Sequence, residues 1–147
     1  MSRILTATFV FLTFLSLVPS CNLAPGSYPY AEVYEFNLSE DELINTIEQV
    51  KQENPEINLT IDVRIPNGGT AQLHDERKDH WYSFYFYYPD KNEIVKTWTR
   101  STFEGTSQFA FVSTNNGLTL GNWKNPSSET TEEFERRILA KIKAKLE

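Results

Sequence analysis

The chain has 147 residues, 14 cations against 20 anions, and a single cysteine. That length suits one domain behind a leader, and a lone cysteine can form no internal disulfide. An acidic balance repels a phosphate backbone, and Lys141, Lys143 and Lys145 share one short segment with acidic neighbours rather than forming a basic patch, so nucleic acid is not an expected partner.

The first element is apolar. Arg3 is followed by Ile4 to Val18 without a charge. Its length of about 15 residues falls short of the ~20 that span a bilayer, and reads as the core of a secretion signal. The stretch ends Val18-Pro19-Ser20-Cys21, with an aliphatic residue three places before the cysteine and a small one directly before it. This layout resembles the lipobox of small bacterial lipoproteins, with one departure, Pro19, where a small or hydroxyl residue is commoner. The resemblance implies cleavage before Cys21 and acylation of its thiol. It also implies anchorage to a membrane of the bacterial cell envelope, the outer membrane in a Gram-negative cell. Acylation would account for the odd thiol, and two or three acyl chains hold a protein stably where one does not. Ordinary secretory cleavage near Ser20 is the alternative and would release the protein. Removing residues 1–20 takes Arg3 away, so the 14 cations become 13 against 20 anions, a net charge of −7.

Residues 21–30 read as a tether, since Pro25, Gly26 and Pro29 break any apolar period. Residues 31–147 read as a single domain. Ala31 to Asn37 is a short first strand. Ser39 and Glu42 then form a capping box, Leu38 and Leu43 a hydrophobic staple, and Leu43, Ile44, Ile47 and Val50 one helical face that ends at Asn54-Pro55. From Ile57 to Ile65 apolar and polar residues alternate strictly, which predicts a strand with one face in the core. Thr70 to Asp79 is too charged to be buried.

His80 to Tyr88 is an aromatic strand. Pro89 to Asn92 turns the chain, and Glu93 to Arg100 returns as its hairpin partner. Gln108 to Ser113 and Leu118 to Trp123 predict a second hairpin around Asn115-Asn116-Gly117. The last helix carries Phe134, Ile138, Leu139, Ile142 and Leu146 on one side, with Thr130 and Glu133 at capping-box spacing and Ser128 as another possible cap. The expected order is β-α-β-β-β-β-β-α: an α+β fold with a single antiparallel sheet and two helices on one face. That order resembles the helix-grip and TATA-binding-protein-like group, which implies a curved sheet packed on a C-terminal helix. A cystatin-like sheet with an added C-terminal helix is the runner-up.

Two places hold side chains with chemical potential. If Tyr88 pairs with Glu93, Phe84 and Phe86 face the core. The opposite face then gathers Trp81, Tyr85, Tyr87, Ile94, Lys96, Trp98 and Arg100. Tyrosine and tryptophan beside cations are the composition of recognition surfaces; the other reading, that these rings cover a second small apolar layer or lean on one another, is the more ordinary role of such side chains. His74 and His80 bracket Asp75, Glu76, Arg77, Lys78 and Asp79. Their spacing matches no zinc motif, and the two cations oppose a metal, so the segment reads as a solvated loop with no metal and no other cofactor. No nucleophile elbow, phosphate loop or His-Glu-x-x-His motif is present, and catalytic residues are not expected. The expectation is therefore a membrane-anchored, non-catalytic binding module whose ligand is a protein, a peptide or a small apolar molecule. The alternative is an immunity or inhibitor lipoprotein that neutralises a basic toxin or hydrolase, helped by the charge of −7.

Overall fold

The computed structural model describes residues 28–60 and 62–147. The signal segment, Cys21 with its expected lipid, most of the tether, and Ile61 lie outside the described residues.

Strand β1 is Glu32–Phe36, and helix α1 follows as Glu40–Glu53. The helix starts where local chemistry directs. The Ser39 side chain accepts from the Glu42 amide at 3.3 Å while Glu42 accepts from the Ser39 amide at 3.0 Å. Glu40, Asp41 and Glu42 place negative charge against the positive end of the helix dipole. Leu38 and Leu43 both join the main core, as the staple requires. At the other end Asn54 donates to the Val50 carbonyl, and Pro55 opens a short 3₁₀ turn, Pro55–Ile57.

After two short strands, β2 (Val63–Arg64) and β3 (Thr70–Ala71), which pair with each other, the main sheet is built from β4 (Glu76–Lys78), β5 (Trp81–Tyr88), β6 (Glu93–Ser101) and β7 (Ser107–Asn116). Its order is β1-β7-β6-β5-β4, every neighbour antiparallel, with β8 (Trp123–Lys124) also beside β7. The C-terminal helix comprises α2 (Ser128–Phe134), a π turn (Glu135–Leu139) and α3 (Ala140–Leu146). This is an α+β fold, mostly one antiparallel sheet with two helices.

Both helices pack on one face of the sheet. Leu43, Ile47, Phe134, Ile138 and Ile142 meet Phe84, Phe86, Phe109 and Phe111 in the main core. Phe111 and Phe134 stack at 4.8 Å and 10°. The hairpin register is the expected one: Tyr88 pairs with Glu93, Phe86 with Val95 and Phe84 with Thr97. The turn between them is fastened to the C-terminal helix, because Arg137 donates two hydrogen bonds to Asp90, at 2.7 and 2.6 Å, and pairs with buried Glu133.

Three expectations are corrected. The segment Ile57 to Ile65 is not one strand: Ile57 closes the 3₁₀ turn, and among the described residues of the segment only Val63–Arg64 form a strand. Ile57, Leu59 and Val63 are buried, as alternation suggested, but in different cores. Ile57 joins the helix side, whereas Leu59 and Val63 join Ile94 on the opposite face. The chain touches β5 at one bridge, Asn58 to Phe86, and crosses the sheet edge there. The edge of β5 is completed by side chains instead: Asp75 accepts from the Tyr85 amide and Lys51 donates to the Tyr85 carbonyl, each at 2.9 Å. The expected β-α-β-β-β-β-β-α order is accordingly longer, with β2, β3 and β4 as short pieces.

The second correction concerns the return from β7. It pairs only at Trp123–Lys124, because buried Asn115 holds the intervening loop by donating to the carbonyls of Gly117 and Thr119 and accepting from the Asn122 amide. Leu118 and Leu120 hydrogen-bond to Arg64 of β2 and not across a hairpin. Third, Ser127 caps the last helix in a box with Thr130, and Leu146 is exposed at the chain end.

Candidate functional site

The sheet face away from the helices is divided. On one half, Ile94, Tyr85 and Tyr87 lie beneath Leu59, Val63, Leu73, Leu118 and Leu120. The wrapped segment and the loop after β7 supply this cover. Tyr87 donates from its hydroxyl to Asn92 at 2.8 Å, and burial pushes the Tyr85 hydroxyl pKa up. Tyr87 is therefore a structural residue rather than part of a free surface, and Tyr85 keeps only a wall position in the cleft described next.

On the other half the helices supply nothing and the loops little. Trp98, Ala110 and Val112 are buried there, with Trp81 and Ala31 packed against them. Trp81 and Trp98 meet edge to face at 4.4 Å. The Arg100 guanidinium stands 5.4 Å from the first ring and 5.3 Å from the second. It is held by donating to Gln108 at 2.7 Å, which in turn donates to Glu35 at 3.2 Å. A cation fixed over two indole rings gains from both ring quadrupoles. The register shift at Lys96/Thr97 makes Val112 an extra residue, so Val112 and Ser113 both face this side.

The chain entering β1 crosses this half. A turn closed by the Ala31 amide donating to the Tyr28 carbonyl at 3.1 Å sets the Tyr28 ring down beside Lys96. The ring stands 5.8 Å from Trp81 at 89°, its centre is 5.1 Å from Lys96 Nζ, and Lys96 donates to its hydroxyl at 3.2 Å. Tyr28 and Lys96 line two adjoining clefts. One, of ≈ 300 Å³, runs over Trp81, Trp98, Ser83 and Tyr85 toward Glu76, Lys78 and Asp79. The other, of ≈ 260 Å³, is lined by Tyr30, Val112, Ser113, Trp123 and Asn125. Tyr28, Tyr30, Val33 and Trp123 are exposed large apolar side chains on this side of the sheet, at 43%, 66%, 45% and 37%.

Of the residues expected on one face, the structure brings together Trp81, Lys96, Trp98 and Arg100, with Tyr85 at the margin. Trp98 is only 4% exposed, so it is the floor of the trough and not a protruding contact. The sequence reading missed Tyr28, Tyr30, Trp123 and Val112. Tyr28-Pro29-Tyr30 carries a signal, two aromatic rings in a stretch otherwise composed as a linker; the bulge at Val112 carries none. His74 and His80 are exposed, and Asp75 is engaged by Lys51. Among the described residues no group of three or more His, Cys, Asp or Glu side chains could hold a metal ion, and no helix is long and apolar enough to cross a membrane.

The trough can stack rings, attract π electrons to a cation, and donate hydrogen bonds from Lys96. These are the interactions of recognition. No protein-family model, no curated protein and no solved structure matches this chain.

Proposed function

We propose that the protein is a lipoprotein of the bacterial cell envelope, anchored through acylated Cys21, whose domain is a non-catalytic binding module. The observation that supports the binding reading is the meeting of Trp81, Trp98, Lys96 and Arg100 with the exposed rings of Tyr28, Tyr30 and Trp123 on one uncovered half-face. Solitary exposed apolar residues are ordinary; a contiguous aromatic patch with cations at its centre is the composition of an interface. Six residues lie between Cys21 and Tyr28, so the trough works within ~25 Å of the anchor.

The test compares the wild type with Lys96→Glu after equal melting temperatures have been established. Envelope extract is passed over both. A species retained by the wild type and lost by the variant supports the reading; equal retention, or none on either, refutes it.

A further inference from the structure

Tyr28 makes three kinds of contact at Lys96, and together they specify a chemical group. The edge-on approach to Trp81 requires an aromatic ring. The ammonium of Lys96 near the ring face requires π electrons. The hydrogen bond from Lys96 Nζ requires an acceptor on the ring's far end. An aliphatic side chain would satisfy none of them, and a phenyl ring would lack the third.

The hold on Tyr28 is nevertheless slight. The residue is 43% exposed, and among the described residues one turn hydrogen bond holds its main chain. Trp98, Ala110 and Val112 are buried with Trp81 and Ala31 packed against them. A residue needed to close a core would be buried; this one lies over a cluster that is already packed. Segments with few buried contacts open at small cost. Tyr28 and Lys96 line both clefts, so departure of Tyr28 would remove part of the wall between them.

The trough also offers main chain. The ladder on the outer edge of β7 runs from Ser107 to Phe111 with β1 and resumes at Thr114 with β8. Val112 and Ser113, between these runs, line the ≈ 260 Å³ cleft. A ligand with its own amides and carbonyls could meet them there, as a bound peptide meets a sheet edge.

Resting on the binding reading above, we infer that the Lys96 subsite recognises the tyrosine side chain of an extended peptide, and that Tyr28 is the chain's own occupant, displaced when such a peptide binds. The strap lowers the apparent affinity by the fraction of time it is closed. Closed nine-tenths of the time, it weakens binding about tenfold.

The experiment uses the full chain in detergent and reads tryptophan emission, excited where tyrosine does not absorb. The probe is the pentapeptide amide of positions 27–31, Ser-Tyr-Pro-Tyr-Ala, with versions carrying phenylalanine or leucine in place of the first tyrosine. Tyr28→Ala should bind the tyrosine peptide about tenfold more tightly than the wild type, with the phenylalanine peptide weaker and the leucine peptide weakest. Tyr28→Phe, which keeps the ring and therefore the local packing, should show an intermediate gain. Lys96→Met in the Tyr28→Ala background should remove the preference for tyrosine over phenylalanine. Equal affinity of wild type and Tyr28→Ala overturns the inference, as does binding of none of the peptides. Leucine-peptide binding as tight as tyrosine-peptide binding also overturns it while leaving the wider binding reading intact. In vesicles with brominated acyl chains, strong quenching of the tryptophans would assign the trough to the lipid surface and reject the peptide.

Discussion

Trp98→Ala should destabilise the domain by ~3–4 kcal/mol. The indole is 96% buried, since only 4% of it is exposed, and it contacts Trp81 edge to face at 4.4 Å. Deleting a buried aromatic side chain typically costs roughly 3–5 kcal/mol, from lost transfer energy and the cavity left behind. The lower part of that range applies because Trp81 is only partly buried and can settle into part of the space. For a domain of this size about 4 °C is lost per kcal/mol, so the melting temperature should fall by ~12–16 °C. Urea unfolding followed by circular dichroism measures the change directly. A second substitution sharpens the reasoning. The indole nitrogen of Trp98 is buried with no partner among the described residues. An unpaired buried N–H carries a desolvation cost of roughly 1–3 kcal/mol, which Trp98→Phe removes while keeping an aromatic ring. The phenylalanine variant should therefore lose about 1 kcal/mol or less. A loss of ~3 kcal/mol there would mean that the N–H is bonded after all, and an alanine variant with unchanged stability would refute the placement of Trp98 as a floor.

Asp75→Ala should cost roughly 3 kcal/mol, because it strands Lys51, 6% exposed, and frees the Tyr85 amide. Asp90→Ala should cost only a small part of that, because that pair lies at the surface with Asp90 57% exposed; paired urea titrations compare the two. Burial raises the Glu93 pKa above its unfolded value of 4.5, so its protonated form suits the fold. Stability contributed by this group rises as pH falls through the raised pKa and levels off below 4.5, and Glu93→Gln should melt higher than wild type at pH 7 with the gap closing by pH 4.5. Arg137 holds Asp90 down to about 2, so its contribution is present above 3.8 and lost as pH falls toward 2; Asp90→Asn should remove that acid-side loss from thermal melts. Mass spectrometry of the membrane fraction should find two or three acyl chains on Cys21; a soluble protein with a free N-terminus near residue 21 or 22 would end the lipoprotein proposal.

Elements whose local chemistry and tertiary role agree were legible from the chain alone. Ser39 with Glu42 is a complete start signal, and the helix begins there. Tyr88 opposite Glu93 follows from the turn at Pro89 to Asn92, and with that register the core and far faces of the hairpin separate correctly. The alternation from Ile57 to Val63 shows where the information ends. Periodicity reports that a residue is buried, not which surface buries it. Ile57 and Leu59 are two residues apart and should share a face, yet they lie in different cores because the chain turns over the edge of β5 between them. That crossing is what covers Tyr85 and Tyr87 and leaves only the short turn at Tyr28 over Trp81 and Trp98. The candidate site is thus defined by what does not cover it, and cover depends on long-range contacts such as Arg64 with Leu118 and Leu120. Tyr28 follows the same pattern. Proline and glycine around it describe a linker, and only the position of Lys96, 68 residues further on, turns one linker tyrosine into a stopper for the trough.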